Sequence, residues 1–143
     1  MKCAIIMAGG KGTRMKATCP KVMCNVLFEP MISYVVDAVK EAGAEDICVI
    51  TGYKHELLEK YLAEKDGQIE TVLQEPQLGT GHAVMQAQSF INRHLDDDII
   101  ILNGDGPLID AETINKAFDY HKNNDNSITL ISAIVDDTNG IGH

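Results

Sequence analysis

The sequence lacks any apolar run long enough to cross a membrane, and it has no low-complexity tract. A transmembrane helix needs about 20 consecutive apolar residues, and no stretch approaches that length. The N-terminus also lacks the charged segment, long apolar core and small-residue cleavage site of an export signal. We therefore expect a single domain of 143 residues in the cytoplasm, with no membrane partner and no second domain.

Cysteines at metal-binding spacing are also lacking. Cys19 and Cys24 have four residues between them and no nearby histidine, so their spacing predicts no metal site. Cys3 and Cys48 fall in predicted strands, where a thiol behaves as a small apolar side chain. This usage is typical of a reducing compartment. No Ser-His-Asp or Cys-His grouping indicates a covalent nucleophile. Three histidines have polar neighbours and are expected to be solvated: His55, His94 and His121.

Acidic residues are absent from the first 28 positions, although the whole chain has a net charge of −9. Those 28 residues carry +5, and the remaining 115 carry −14. Nucleic acid would need a broad basic face, which an acidic protein with one local cationic segment does not offer. The charge pattern therefore favours a small polyanion as the ligand and excludes nucleic acid as a partner.

The cations lie in and around a glycine-rich loop at residues 8–21, which follows an apolar run of strand length. Its glycines at positions 9, 10 and 12 permit positive φ and expose backbone N–H groups to phosphate. Arg14 can bind phosphate oxygens bidentately, whereas Lys21 offers a compact charge. The loop is not a Walker A motif, and Thr51-Gly52 stands where a dinucleotide fold carries an acidic residue. Solvated lysines on an ordinary turn are the alternative.

Hydrophobic periodicity predicts alternating strands and helices along the chain. Pro30 is expected in the first turn of a helix that ends at Gly43, and Asp110 is expected to cap another. The predicted strands are residues 2–7, 47–50, 69–73, 99–102 and 128–135, and the predicted helices span about 30–43, 57–62, 82–91 and 110–123. This order predicts a mostly parallel sheet with helices on both faces, in which residues 69–73 lie nearer an edge.

Three unusual loops follow predicted strands, at residues 8–21, 74–81 and 103–107. Ligands of parallel sheets bind at the carboxyl ends of the strands, near the reversal of strand order. Asp105 is well placed there to bind Mg²⁺, or it is simply an aspartate in a turn. Gln74 can read a base edge through its amide or brace the loop. His82 is expected to be a helix-start residue rather than a catalytic base.

Together the loops resemble the sugar-nucleotide pyrophosphorylase (nucleotidyltransferase) family. Within it the sequence most resembles the uridylyltransferase half of bifunctional N-acetylglucosamine-1-phosphate uridylyltransferases. The five-residue gap between Arg14 and Pro20 is also similar to that branch. The matching stretches run in the family's order over essentially the whole chain, at residues 8–15, 20–22, 72–74, 77–83, 104–105, 107–108, 136–137, 140 and 142.

The resemblance implies a Rossmann-like fold of the nucleotide-diphospho-sugar transferase type, and Mg²⁺-dependent transfer of UMP from UTP to a sugar 1-phosphate. N-Acetylglucosamine 1-phosphate is the implied acceptor, and UDP-N-acetylglucosamine for cell-wall precursors is the implied product. Arg14 and Lys21 would face the phosphates as catalytic residues, and Asp105 would bind Mg²⁺. Substrate contacts are implied at Ala8, Gly9, Gly10, Gly12, Thr13, Gln74, Gln77, Gly79, Thr80, Gly104 and Gly142.

Some positions depart from the family pattern. Gly9 replaces the more usual alanine, Gly106 replaces a larger residue, Ile141 replaces a tyrosine and His143 replaces an arginine. The last two leave the sugar open. Family domains also continue beyond residue 143, so we interpret these residues as the N-terminal nucleotide-binding part of such a domain. Whether this part catalyses the reaction by itself is left open. A homo-oligomer that forms through a later region is compatible with this interpretation. One alternative is a nucleotidyltransferase that uses another sugar phosphate or another nucleotide. The other alternative is a non-catalytic module of the same fold that binds a nucleotide or serves in assembly.

Overall fold

A computed structural model describes residues 1–9, 23, 25–26, 29–52, 55–75, 78–104 and 109–125. Within these residues strands and helices alternate in an α/β arrangement. The predicted strand at residues 128–135 lies outside the described residues. The elements in chain order are β1 (Lys2–Met7), β2 (Asn25–Val26), β3 (Glu29–Pro30), α1 (Met31–Glu41), β4 (Asp46–Thr51), α2 (His55–Lys65), β5 (Glu70–Leu73), α3 (Thr80–Met85), α4 (Gln88–Asn92), β6 (Asp98–Asn103) and α5 (Ala111–Asn123).

The main sheet is parallel and has the strand order β5-β4-β1-β6 within the described chain. The chain moves from β1 outward to β4 and β5, and then returns to the other side of β1 to form β6. This return places the reversal of strand order between β1 and β6. The prediction that residues 69–73 lie nearer an edge is confirmed, because β5 pairs only with β4 among the described strands.

Both faces of the sheet are covered, as the continuous apolar strands predict. Alternate residues of β1 point to opposite sides, so that Ala4 and Ile6 pack with α1, α2 and α5, whereas Cys3 and Ile5 pack with α3 and α4. The first of these two clusters is anchored by Val35, Leu58, Leu62 and Ile114, and the second by Phe90. No helix in the described part of the chain has the length and apolar composition that a membrane span needs.

Helix α1 begins and ends with local signals that the sequence shows. Pro30 is its N-cap, with ψ at 148°, so the helix begins one residue later than predicted. At the other end Gly43 has φ +98°, and its N–H donates to Lys40 O while Ala44 N–H donates to Val39 O. This pair of bonds is a Schellman motif, which needs a residue with positive φ after the helix.

The predicted helix over residues 82–91 is two shorter helices in the structure. Gln86 N–H donates to Ala83 O, and Ala87 N–H donates to Val84 O, each at 3.0 Å. These two bonds span three residues rather than four, so they tighten the backbone and separate α3 from α4. Ala83, Ala87 and Phe90 remain buried on one side, and the apolar periodicity therefore concealed the break.

Asp110 is the N-cap of α5, as predicted, and its Oδ1 accepts from Thr113 N–H at 2.8 Å. This backbone hydrogen bond lowers the pKa of the Asp110 carboxyl below its usual value. A carboxyl whose pKa falls on folding stabilises the fold above its unfolded pKa, and the contribution disappears as the pH falls through the lower, folded value.

We therefore expect Asp110→Ala to lower the melting temperature at pH 7 and to lower it less at pH 3, because pH 3 lies below the pKa of an unfolded aspartate, where the contribution of the lowered pKa is already partly lost. Thermal unfolding followed by circular dichroism at both pH values measures this difference. Asp119→Ala, an exposed carboxylate in the C-terminal half of the same helix, is the control. An Asp110→Ala effect of the same size at both pH values would contradict the prediction.

Candidate nucleotide-binding edge of the sheet

The first residues of the three predicted loops lie in one row across the carboxyl edge of the sheet. Gly104 N–H donates to Met7 O at 2.9 Å, Ala8 N–H donates to Ile50 O at 2.8 Å, and Gln74 N–H donates to Thr51 O at 2.8 Å. These bonds continue the strand ladders one residue beyond β6, β1 and β5. Three inter-strand spacings, roughly 14 Å, separate the two ends of the row. The prediction that these loops meet at one edge is thus confirmed for their first residues.

The reversal of strand order lies within this row, between Met7 of β1 and Asn103 of β6, which are register partners. Ala8 and Gly9 follow β1 and are buried there, and Gly104 follows β6 and is also buried. Crevices at such reversals are where open parallel sheets bind nucleotides, because the two adjacent loops leave in opposite directions. The backbone that enters the cationic loop is therefore at the expected ligand position.

Gln74 has a buried side chain, only 5% exposed, at the β5 end of the row. Its Nε2 donates to Gly79 O at 3.0 Å and lies 3.0 Å from His82 Nδ1. Because the Gly79 carbonyl oxygen can only accept, the amide atom that faces it is the nitrogen of Gln74. The same nitrogen donates its second hydrogen to Nδ1 of His82, which accepts it. Gln86 Nε2 donates to the His82 carbonyl oxygen at 3.2 Å, and it lies 3.2 Å from His82 Nε2, which carries the ring hydrogen when Nδ1 accepts. Both donors of Gln74 are thus used within the protein, and neither contact involves its Oε1 acceptor.

The loop after β5 reaches α3 through Gly79, which has φ +103° and precedes Thr80. A Cβ at Gly79 would meet nothing within 4 Å, so the backbone conformation rather than packing requires glycine. This conformation turns Gly79 O toward the Gln74 amide. His82 is the third residue of α3, which agrees with its prediction as a helix-start residue.

The structure thus brings together Ala8, Gly9 and Gly104, and it places Gln74, Gly79 and Thr80 at the other end of the same edge. The remaining predicted site residues lie outside the described residues, and their positions stay predictions. These are Gly10, Gly12, Thr13, Arg14, Lys21, Gln77, Asp105 and Gly142.

The described cysteines are buried thiols rather than nucleophiles. Burial raises the pKa of Cys3 to about 11, with the Asp97 charge adding to the effect. Burial raises the pKa of Cys48 to about 12, with Glu70 adding to it. Both thiols are therefore protonated at neutral pH and inert toward substrates.

A second polar cluster lies at the opposite edge of the sheet, and sequence reasoning missed it. His94 is only 7% exposed, so the prediction of a solvated side chain is wrong. Its Nδ1 lies 3.3 Å from Cys3 Sγ and 2.8 Å from Asp97 Oδ2, and its Nε2 lies 2.7 Å from Asp46 Oδ2. We call Cys3, Asp46, His94 and Asp97 the amino-end cluster. The expectation that no Cys-His grouping forms is corrected by the same contact.

The hydrogen bond with Asp97 is the main cause that raises the pKa of His94, and the bond with Asp46 adds to it. The reciprocal bond lowers the pKa of Asp97. One sequence signal could have revealed the cluster, because Cys3, Asp46 and Asp97 all lie at or just before the start of a predicted strand. In a parallel sheet these starts meet at one edge, and Cys3 and Asp46 are register partners.

Comparison with known proteins identifies the family of the chain. The model of the nucleotidyl transferase family matches residues 3–142. The "Bifunctional protein GlmU" of Caldanaerobacter subterraneus subsp. tengcongensis is 40% identical over 139 residues, which cover 97% of this chain and 29% of that protein. This chain therefore spans less than a third of the length of that curated relative.

Solved structures show the same fold. A UDP-glucose pyrophosphorylase complexed with UDP-glucose has a TM-score of 0.74 and 23% identity, with coverage of 87% of this chain and 54% of that one. A UTP-bound UGPase from Acinetobacter baumannii has a TM-score of 0.67 and 25% identity, with the same two coverages of 87% and 54%. From the extent of the family match and the identity to this relative, the chain belongs to the nucleotidyl transferase family.

Proposed function

We propose that this chain is the nucleotide-binding part of a Mg²⁺-dependent uridylyltransferase, which transfers UMP from UTP to a sugar 1-phosphate and releases pyrophosphate. The observation that carries the proposal is the row of Gly104, Ala8 and Gln74 across the carboxyl edge of the sheet. In this row Ala8, at the start of the cationic glycine loop, lies between Gln74 and Gly104, and Gly104 precedes Asp105 in the sequence. The parts of a nucleoside triphosphate match this row: the base is assigned to Gln74, and the phosphates are assigned to the loop that begins at Ala8.

The phosphates are assigned to the loop that Ala8 and Gly9 begin. Its glycines offer backbone donors, and Arg14 and Lys21 supply positive charge within the segment that carries +5. In this role Arg14 holds two phosphate oxygens at once, whereas Lys21 follows the charge as it moves to the leaving pyrophosphate. Gly10, Gly12 and Thr13 belong to the same loop and complete its backbone contacts.

The metal is assigned to Asp105, the residue after Gly104. Gly104 is fixed to Met7 beside the reversal of strand order, and this supports the assignment of the next residue as the metal ligand beside the phosphates. A lone carboxylate with phosphate oxygens and water suits Mg²⁺, which prefers oxygen ligands and keeps several waters. When bound, Mg²⁺ supplies charge neutralisation for the triphosphate.

The base is assigned to Gln74. Because its two amide hydrogens are used by Gly79 O and His82 Nδ1, its Oε1 is the atom that remains to read a base. Uracil presents an N3–H donor to such an acceptor, whereas cytosine presents an unprotonated N3. Thr80, Gly79 and Gln77 lie in or beside the same loop and are assigned to the remaining edges of the uracil ring.

The chemistry requires positioning and charge stabilisation rather than a protein nucleophile. The phosphate oxygen of the sugar 1-phosphate attacks the α-phosphorus, the bond to the β-phosphate oxygen breaks, and pyrophosphate leaves with the electron pair. The attacking phosphate is already anionic at pH 7, so no strong base is needed. Arg14 and Lys21 stabilise charge on the transferring group, which agrees with the inert thiols among the described residues.

N-Acetylglucosamine 1-phosphate is the proposed acceptor, because the matched curated relative is a GlmU protein and the motifs resemble that branch. The UTP-bound UGPase supports UTP as the donor. Gly142 is assigned to the sugar, between Ile141 and His143, which replace the tyrosine and arginine of the family pattern. We place the protein in the cytoplasm, with UTP and a sugar 1-phosphate as its partners.

Calorimetric titration with UTP, CTP, GTP, ATP and dTTP, with and without Mg²⁺, tests the proposal. We expect a clear preference for UTP that Mg²⁺ strengthens. Preference for another nucleotide would contradict UTP as the donor but keep nucleotidyl transfer as the reaction class. A folded sample that binds none of the five would contradict the proposed nucleotide site and favour an assembly module.

Gln74→Ala should reduce the selectivity for the base while nucleotide binding is retained. Loss of the one acceptor aimed at uracil N3–H is expected to reduce the preference for UTP over CTP by about tenfold, which corresponds to about 1.4 kcal/mol. The ratio of the two dissociation constants is the measurement. Gln88→Ala, which removes an exposed amide from α4, is the control. An unchanged ratio in Gln74→Ala would contradict the base-reading role.

A further inference from the structure

The amino-end cluster contains three different metal-ligating groups that face one another. Cys3 Sγ, a ring nitrogen of His94 and a carboxylate oxygen of Asp97 all lie within 4.8 Å of one another. Sulfur and oxygen both approach the same nitrogen, since Nδ1 lies 3.3 Å from Cys3 Sγ and 2.8 Å from Asp97 Oδ2. The Nδ1 hydrogen has Asp97 as its acceptor, whereas a metal ion in the place of that hydrogen would bind all three groups at one point.

The other ring nitrogen is already oriented for that role. His94 Nε2 lies 2.7 Å from Asp46 Oδ2, so Asp46 accepts the Nε2 hydrogen, and a metal ion that replaced the Nδ1 hydrogen shared with Asp97 would meet the Nδ1 lone pair. A histidine that binds a metal usually donates its second N–H to a carboxylate in this way, which fixes its tautomer and ring orientation. The α-amino group of Met1 lies 3.4 Å from Asp97 Oδ1 and orients that carboxylate.

The surroundings are rigid and mostly closed. Cys3 is fully buried in β1, and His94 packs against Phe90 with ring centroids 4.7 Å apart. The Asp97 side chain is 23% exposed and gives access from solvent. The three ligands come from β1 and from the turn between α4 and β6, so a bound ion would join segments far apart in the sequence.

The ligand types select the metal. A thiolate with an imidazole and a carboxylate suits Zn²⁺, whereas Mg²⁺ and Ca²⁺ prefer oxygen alone. Around a tetrahedral Zn²⁺ a sulfur and a nitrogen lie about 3.6 Å apart, and a nitrogen and an oxygen about 3.4 Å. The sulfur–nitrogen distance of 3.3 Å is shorter than its tetrahedral value by about 0.3 Å, and the nitrogen–oxygen distance of 2.8 Å is shorter by about 0.6 Å. Small side-chain rotations supply these differences when the metal replaces the protons between the ligands.

We propose that Cys3, His94 and Asp97 form a Zn²⁺ site that stabilises the amino edge of the sheet, with Asp46 as the residue that positions His94. The fourth position is left to water. Cys3 and Met7 lie at opposite ends of β1, roughly 13 Å apart, so the site is separate from the nucleotide edge. Binding forms the bond from sulfur to zinc and releases the thiol proton to solvent.

Titration with Co²⁺, a coloured substitute for Zn²⁺, tests the proposal. The sample carries Cys19→Ser and Cys24→Ser, so that only Cys3 and Cys48 remain as thiols. We expect one Co²⁺ per chain, with a near-ultraviolet absorption from thiolate to cobalt, and with displacement by Zn²⁺ but not by Mg²⁺. Zn²⁺ should also raise the melting temperature, because it binds the folded state preferentially.

Matched variants separate the proposed site from other metal binding. Cys3→Ser should abolish the sulfur absorption and the Zn²⁺-induced rise in melting temperature, and Asp46→Asn should weaken Zn²⁺ binding about 10–100-fold while the ligands remain. Cys48→Ser removes the other buried thiol, and His55→Asn removes a histidine whose nitrogens lie 2.9 Å from Glu59 and 3.3 Å from Glu56 without a thiol. Both controls should bind Co²⁺ as the parent does.

Three results would overturn the proposal. They are the absence of a sulfur-to-cobalt absorption in the folded parent, its persistence in Cys3→Ser, and its loss in Cys48→Ser. Should the parent with Cys19→Ser and Cys24→Ser not fold, the comparison is repeated between the natural sequence and Cys3→Ser alone. The sulfur absorption per bound Co²⁺ must then decrease in Cys3→Ser, and an unchanged spectrum would contradict the site.

Discussion

Arg14→Ala is expected to lower the rate of pyrophosphate release by about 10²–10³-fold, while the dissociation constant for uridine changes by about twofold or less. The large effect follows from the proposed contact of Arg14 with phosphate oxygens, where charge increases as the pyrophosphate leaves. Uridine has no phosphate, so its binding depends on Gln74 and the Gly79 loop instead. Steady-state release of pyrophosphate and calorimetry with uridine give the two quantities.

Two further variants make this experiment specific. Arg14→Lys keeps the charge but loses the bidentate geometry, and it should retain more activity than Arg14→Ala. Lys16→Ala removes a neighbouring cation of the same loop to which no substrate contact is assigned, so its activity should stay near that of the natural sequence. Equal losses of turnover and uridine binding in Arg14→Ala would show that the residue supports the loop rather than the reaction.

Leu58→Ala is expected to destabilise the protein by about 2–5 kcal/mol. Leu58 is 1% exposed and packs from α2 onto the face of the sheet that carries Ala4, Ile6 and Val49. Truncation removes apolar burial and leaves a cavity that the surrounding close-packed side chains fill only in part. Since a domain has only about 5–15 kcal/mol of stability, much of the total would be lost.

Leu57 provides a matched control because it precedes Leu58 in the same helix and is 47% exposed. Leu57→Ala should change the free energy of unfolding by about 0.5 kcal/mol or less, as exposed substitutions do. Urea denaturation of both variants gives the free energies, and an unchanged denaturant slope would show that the unfolded states are comparable. Similar losses in the two variants would contradict the packing of α2 against the sheet.

Local patterns in the sequence predicted most of the described fold. The apolar runs at 2–7 and 47–50 are strands because a sheet covered on both faces needs side chains that are apolar on both sides. Gly43 ends α1 because only glycine readily adopts the required positive φ. Pro30 shifted the helix start by one residue, a difference that local propensity does not determine.

The candidate site was predicted to the extent that its residues follow strands. Ala8, Gln74 and Gly104 lie at the same edge because parallel strands have their carboxyl ends there. This part of the site therefore followed from the order of the elements. The side-chain roles of Arg14, Lys21 and Asp105 stay predictions. The contact between Gln74 and His82 was not predicted, because it depends on the backbone turn at Gly79 rather than on any periodicity.

The sequence alone determined the element order, the strand faces and the position of the cationic loop, since each depends on residues that are near one another in the chain. The tertiary structure alone decided that α3 and α4 are separate helices, and that His94 is buried between Asp46, Asp97 and Cys3. The helix break depends on local backbone bonds that the apolar periodicity does not show, whereas the contacts of His94 with Cys3 and Asp46 depend on segments that the sheet brings together across more than 40 positions. Polar neighbours in the sequence made His94 resemble a solvated residue, whereas neighbours in space give it a buried, charge-paired environment.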